Sequence, residues 1–331
     1  AQASYTYKGF QLNPFTYKHS IKAGIYTDTG GFDVTYEGEF ANVLRGYNLF
    51  ARVSYTSPNF ARNFFGFGNG SENLQDEFDR DFNRVKIKQI GGSLGLRKTS
   101  KYGSIFEHQL SYSAYEVQRT EGRYIDQVGD EFLVTDTNFF DQKNFLSYQS
   151  SYQYQSFDDA INPVRGMDFK VELGGTMNVE NSDQNFMFLN PHLEFYNALS
   201  KDKKWVLRTK VASQLLFNDD YEFYQGARLG ARNGLRGYRR DRFIGKQSLV
   251  SNLDLRYSFN SIKTRLVPLK FGVLGGVDVG RVWSGYQDSN AWQNDYGVGF
   301  WVNAADLFSG TFNLFHSDDG LFFTFGFGAK F

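Results

Sequence analysis

Five cations, Arg236, Arg239, Arg240, Arg242 and Lys246, crowd the segment Gly234–Gln247, together with three glycines and almost nothing to build a hydrophobic face. Such a stretch is either a solvated connector or a hook that folds into a polar interior and meets carboxylates there. A guanidinium presents a planar fork of donors that a carboxylate can grip in two places, so one acid on a wall could fix it. The run Pro268–Trp283 offers that acid. Phe271, Val273, Val277 and Val279 point one way, and Gly272, Gly276, Asp278 and Gly280 the other. An aspartate between glycines leaves room for a large partner, which makes Asp278 the natural counter-ion of one loop arginine. Desolvation offsets much of the attraction in such a pair. The plainer reading is an aspartate lining wet space.

Other chemistry is sparse. His19, His108, His192 and His316 are scattered, and His316-Ser317-Asp318-Asp319 reads as a solvated polar turn rather than a protease group. The Gly-rich stretch Phe64–Gly70 follows no strand-to-helix step, so it is not a phosphate loop. Asp126, Asp130, Glu131 and Asp136 lack the order of an EF-hand loop. Cysteine is absent, which removes disulfides and thiolate metal sites. Lys+Arg and Asp+Glu both number 36, so nothing points to nucleic acid. The expectation is a protein that is not an enzyme and has no cofactor and no metal.

The elements that would position the basic segment alternate with period two almost everywhere. Phe15, Tyr17, His19, Ile21, Ala23 and Ile25 oppose Thr16, Lys18, Ser20 and Lys22. Leu249, Leu253, Leu255, Tyr257 and Phe259 oppose Asn252, Asp254, Arg256 and Ser258. Aromatics make up 18% of the 331 residues, yet mean hydropathy is −0.48. One greasy and one wet side per strand satisfies both facts. The runs exceed the ~5–6 residues of ordinary strands and suffice for the ~9–11 that a tilted membrane strand needs. In lipid every backbone group must be paired internally, so such strands must close on themselves.

The predicted fold is therefore all-β, a transmembrane antiparallel barrel of about fourteen strands, with the basic loop folded into its lumen. The strands fall near 15–27, 30–41, 46–57, 82–98, 103–119, 143–157, 166–180, 186–199, 204–217, 247–259, 268–283, 293–303, 310–316 and 320–331. Every long connection lies at one end and only short turns at the other, the outer-membrane habit, which leaves both termini in the periplasm. Residues 1–14 read as a periplasmic lead-in and 15–331 as one barrel domain. The opening Ala-Gln-Ala lacks the charged start and apolar core of a signal peptide. Pro191 falls inside a strand and demands a bulge or local break; residues 120–142 are either a loop or an extended hairpin. The last strand places Leu321, Phe323, Phe325, Phe327, Ala329 and Phe331 on one face, and ending on phenylalanine matches a C-terminal insertion signal carried by Phe327 and Phe331.

Leu235-Arg236-Gly237-Tyr238, preceded by Phe223-Tyr224-Gln225-Gly226 and followed by Gly275-Gly276-Val277-Asp278-Val279-Gly280, resembles the BamA/TamA-type assembly-factor superfamily of outer-membrane barrels. Asn162-Pro163-Val164-Arg165-Gly166 is similar to the turn that precedes a strand in that family. The likeness covers about residues 160–331 well and the first half by pattern alone; Leu235 stands where the family has a β-branched residue. The resemblance implies a barrel, usually of sixteen strands, whose Arg236 is pinned in the lumen by Asp278 with Gly275 and Gly280 in support. It implies insertion or translocation of proteins through a weak seam between first and last strands. It also implies partners among outer-membrane lipid (lipopolysaccharide and phospholipid), client proteins and periplasmic accessory proteins. Two alternatives stand beside it: a barrel that anchors or exports a passenger or enzymatic domain fused before residue 1, and a passive solute channel.

Overall fold

The structure, a computed structural model, describes residues 1–9, 15–128, 138–181, 183–218, 220–264, 267–285, 289–305 and 308–329. Its wall begins with β1 (Gln2–Tyr7), β2 (Tyr17–Tyr26), β3 (Gly31–Leu44) and β4 (Tyr47–Thr56), and β5 (Ala61–Asn63) resumes the β4 lane. Then come β6 (Arg84–Thr99), β7 (Ser104–Gln118), β8 (Lys143–Phe157), β9 (Gly166–Asn178), β10 (Asn185–Ala198) and β11 (Trp205–Leu216). A separate two-stranded ribbon, β12 (Ala227–Leu229) and β13 (Phe243–Gly245), interrupts the series. The wall continues with β14 (Gln247–Ser258) and its short extension β15 (Ile262–Lys263). It finishes with β16 (Pro268–Trp283), β17 (Gln293–Ala304), β18 (Phe308–Ser317) and β19 (Gly320–Ala329).

Each lane pairs antiparallel with the next in chain order, from β1 to β19. The main sheet holds seventeen described strands. Since β5 and β15 extend existing lanes, these are fifteen lanes (17 − 2), one more than the periodicity predicts. The extra lane is β1. The stretch expected as a lead-in pairs Gln2 with Lys22 through Tyr7 with Tyr17, covering the edge of β2, the expected first strand. Its single turn of alternation, Tyr5 and Tyr7 against Ser4 and Thr6, is too short to stand out by pattern.

Side-chain alternation sorts the wall into a lipid face and a lumen face. Ile21, Val53, Leu94, Val211, Leu253, Val277, Val298 and Phe323 are all exposed. The polar residues between them face inward and pair: Arg97 bridges Glu39 and Glu107 at 2.8 Å each, and Arg52 binds Glu37 at 2.7 Å. The ladders consume the backbone groups of the long strands from β3 to β18 on both sides, as hydrocarbon requires; among the described residues β19 is paired on its β18 side alone.

Pro191 does break the pattern locally, without a bulge. Its register against β9 is continuous, but toward β11 the ladder passes from Leu189↔Leu215 to His192↔Ala212 with Asn190 and Pro191 unbridged. A residue without an N–H removes the rung and leaves the spacing intact. Of the 120–142 connection, residues 124–128 form a helical turn and 138–141 a turn, so no hairpin lies among its described residues; 129–137 fall outside them.

The apolar core sits at the long-loop end. Phe64 from the β4–β6 connection, Phe139, and Phe223, Tyr224 and Ile244 from the β11–β14 connection pack with the wall residues Val85, Ile87, Val117 and Phe145. The Gly-rich Phe64–Gly70 segment is thus part of a cap: the Gly68 N–H donates to the Ile244 carbonyl at 2.7 Å, and Asn69 exchanges two hydrogen bonds with the Val282 backbone. A buried ion pair, Lys143–Glu222 at 2.6 Å, ties β8 to the same cap.

Candidate functional site

The basic loop descends from this cap into the lumen on the β12–β13 ribbon, in which Ala227 pairs with Gly245 and Leu229 with Phe243. It carries more apolar anchorage than its composition suggests. Leu229, Leu235, Tyr238 and Phe243 are buried against Val250 of β14 and Val282 of β16. These four side chains are spaced irregularly, so no periodicity reveals them. Burying each contributes on the order of 1.5–3 kcal/mol, enough to hold a cationic loop out of bulk water.

Arg236 sits at the tip of the descent. Its backbone N–H donates to Asp278 Oδ2 at 3.1 Å, Nε to the same oxygen at 2.8 Å, and Nη2 to Oδ1 at 2.6 Å. The family resemblance implies this pair, and the structure brings the two residues together. Asp278 is fully buried and takes a further bond from Asn252 Nδ2 at 2.6 Å, while Asn252 also donates to the Gly234 carbonyl. The Arg236 guanidinium lies 4.1 Å from the centre of the Phe315 ring, a desolvated cation–π contact.

Arg236 has a second acid that the linear pattern does not single out. Nη2 donates to Asp254 Oδ1 at 2.6 Å; Asp254 accepts from Arg208 Nη1 at 2.8 Å, and Arg208 Nε reaches Glu194 at 2.8 Å. Charges thus alternate along Asp278, Arg236, Asp254, Arg208 and Glu194, from β16 to β10. Each charge in this series has an opposite neighbour, the condition under which ion pairs are tolerated in a poorly solvated interior. The strand alternation places Asp254 and Arg208 on the wet face, but their meeting depends on the register Arg208↔Asp254 between β11 and β14.

Two glycines make room. A Cβ on Gly276 would collide with Asp254 Oδ1 and lie 2.7 Å from Arg236 Nη2 and 3.1 Å from Phe315. A Cβ on Gly237 would lie 2.6 Å from Asp295 Cβ and 3.1 Å from Ser317 Cβ; the Gly237 carbonyl accepts from Ser317 Oγ at 2.5 Å. Gly280 is packed beneath Leu229 and Val250, in keeping with a supporting role. Gly275 is not. It points to the lipid face with open space around it, because side chains alternate, and Gly276 holds the place expected for it.

A second arginine of the loop is also tied down. Arg242 Nε donates to Asp319 Oδ2 at 2.7 Å and Nη1 to Ser71 Oγ at 2.9 Å, with the rings of Phe65 and Phe243 within 5 Å of its guanidinium. The polar turn read as solvated therefore grips the loop through Ser317 and Asp319. His316 faces outward beside Tyr296, away from that turn's lumen side. Tyr238 is buried, its O–H donating to Gln293 Oε1 at 3.1 Å and the Asn294 carbonyl at 3.2 Å. Burial first, then the nearby Asp318 and Asp319, push its hydroxyl up to about 12, so it remains a donor at ordinary pH.

Below the loop, the turn at 158–165 enters the lumen from the short-turn end. Asp158 Oδ1 accepts from the Val164 and Arg165 N–H groups, and the Pro163 carbonyl accepts from Arg256 Nη1 of β14 at 3.4 Å. Between turn and loop lies a cavity of about 340 Å³. On the last strand Phe327 faces the lipid side, next to Phe323 and Phe325; Phe331 lies outside the described residues.

An all-β wall with a lipid-facing belt and a loop folded inside defines an outer-membrane β-barrel. A family model described as the Omp85 superfamily domain matches residues 29–305, and the chain belongs to that superfamily. The matched span contains Arg236, Asp254 and Asp278. Among solved structures, the fold is similar to the crystal structure of BamA from Haemophilus ducreyi lacking POTRA domains 1–3. The TM-score is 0.66 at 14% identity, over 98% of this chain and 68% of that one.

Proposed function

We propose that this barrel inserts or translocates proteins at the bacterial outer membrane, with the long-loop end facing outward and the short-turn end facing the periplasm. The observation that carries the reading is the three-bond grip of Asp278 on Arg236 inside the lumen. It fixes a loop that also holds the hairpin of the last two strands through Ser317 and Asp319. The pin thereby sets the position of the wall's final edge, where a client strand would pair by β-augmentation. At that edge Gly326 and Gly328 offer little side-chain packing, and the outward Phe325 and Phe327 meet lipid. On the other side of the seam β1, rather than β2, is the outermost strand, and it covers β2 only as far as Lys22. Clients and periplasmic accessory proteins are the partners this reading requires. A passive channel is disfavoured, since loop and turn occupy the lumen from opposite ends.

The test is client insertion into proteoliposomes carrying the full-length product. Arg236→Ala should slow insertion of an unfolded barrel client by about tenfold or more, equivalent to ~1.4 kcal/mol or more on the rate-limiting step. Arg236→Lys, which keeps charge but not the fork, should rescue it only in part. Insertion by folded Arg236→Ala at the parental rate would refute the proposal.

A further inference from the structure

The whole chain carries equal numbers of acidic and basic residues, but one cavity does not share that balance. At the long-loop end, a space of about 750 Å³ is lined by Arg62, Arg80, Arg84, Arg228, Arg232 and Arg240. Among the lining residues Asp28 and Asp241 are the acids, giving the lining a formal charge of +4 (six minus two). Some of this charge is spent within the protein: Arg84 binds Asp81 at 2.9 Å and approaches Asp28 at 3.7 Å, and Arg228 approaches Asp241 at 3.9 Å. Arg62 donates to Gln89 at 3.3 Å. Arg80, Arg232 and Arg240 have no ion pair among the described residues, and all three are exposed.

The cluster is held in place by the same loop that descends into the lumen. Arg232 and Arg240 flank the anchored Leu235–Tyr238 segment, and the Arg240 carbonyl accepts from Asn63 Nδ2 of β5 at 2.9 Å. Like charges gathered in a concave site repel one another and raise the local potential for anions. Guanidinium forks match the tetrahedral oxygens of phosphate bidentately, and Tyr26, Thr27 and Thr29 add hydroxyls at one side. The volume suits a compact polyanion and is far too small for a nucleic-acid duplex.

We infer that this six-arginine cavity is a binding site for a phosphate-bearing anion, with Arg80, Arg232 and Arg240 as its primary contacts. The site stands apart from the Arg236–Asp278 pin and does not depend on the insertion reading. Two sources share this chemistry: a soluble oligophosphate, and the phosphorylated sugar headgroup of a saccharolipid in the surrounding membrane.

The probe is inorganic pyrophosphate, titrated into the purified barrel in a zwitterionic detergent at low and at high salt. Saturable binding that weakens with salt is expected. The double variant Arg232→Ala/Arg240→Ala should bind about tenfold or more weakly, while its melting temperature and its buried Arg236 contacts are unchanged. Neither residue forms an ion pair among the described residues, so folding should survive; Arg232→Gln/Arg240→Gln, with side chains of closer bulk, repeats the test. Absence of saturable binding to the parent protein, or equal binding by folded double variants, would overturn the assignment. Displacement of pyrophosphate by a bisphosphorylated saccharolipid in mixed micelles, but not by its dephosphorylated form, supports the membrane source. Binding that only soluble phosphates displace supports the soluble one.

Discussion

Asp278→Ala will lower the stability of the folded loop by about 3–5 kcal/mol, the cost of leaving one member of a buried ion pair without its partner. Arg236 would lose all three of its bonds to that carboxylate, and Asn252 would lose an acceptor, leaving Arg236 with Asp254, a carboxylate already shared with Arg208. The chain has no cysteine, so the outcome can be read by a single reporter. Ala227→Cys, at a fully buried position on the ribbon, should resist a membrane-impermeant maleimide in the parent. It should label readily once Asp278 is alanine, and thermal unfolding in detergent should shift down in parallel. Asp278→Asn, which keeps an acceptor but not the charge, should fall between the two. A protected cysteine and an unchanged melt in Asp278→Ala would mean that the apolar contacts of Leu235 and Tyr238 hold the loop by themselves.

Gly276→Val should be nearly as damaging, and Gly275→Val close to silent. The two residues are adjacent in sequence and differ only in the face they present. At Gly276 a side chain must displace Asp254, Arg236 or Phe315, so overpacking of about 1–3 kcal/mol is added to the loss of the charge network. At Gly275 the added methyls enter open space on the lipid side. Comparing the melts and maleimide reactivity of the two variants tests register as well as packing. Equal effects at both positions would show that the lumen assignment of β16 is wrong.

Much of the wall could be read from residue alternation, because one wet and one greasy side per strand writes period two directly into the chain. The fourteen predicted strands correspond to the lanes from β2 to β19. Asp278 was legible because an aspartate between glycines breaks its local pattern, whereas the choice of Arg236 among the four loop arginines came from the family resemblance. What local pattern cannot carry is register. Asp254 and Arg208 look like ordinary wet-face residues until β11 and β14 are aligned, and Asp319 meets Arg242 only through the fold. The choice between Gly275 and Gly276 likewise turns on a single step of strand phase. β1 escaped because six residues give too few alternations, and the cap of Phe64, Phe223 and Tyr224 because irregular loops have no period at all.

The turn at 158–165 has a consequence for electrical behaviour. The arginine loop enters the bore from one mouth, and the Pro163–Arg256 contact narrows it from the other, with a chamber of about 340 Å³ between. Two constrictions stacked along one path add as resistors do. Deleting either stopper alone should leave current limited by the survivor, and a large conductance should require removal of both.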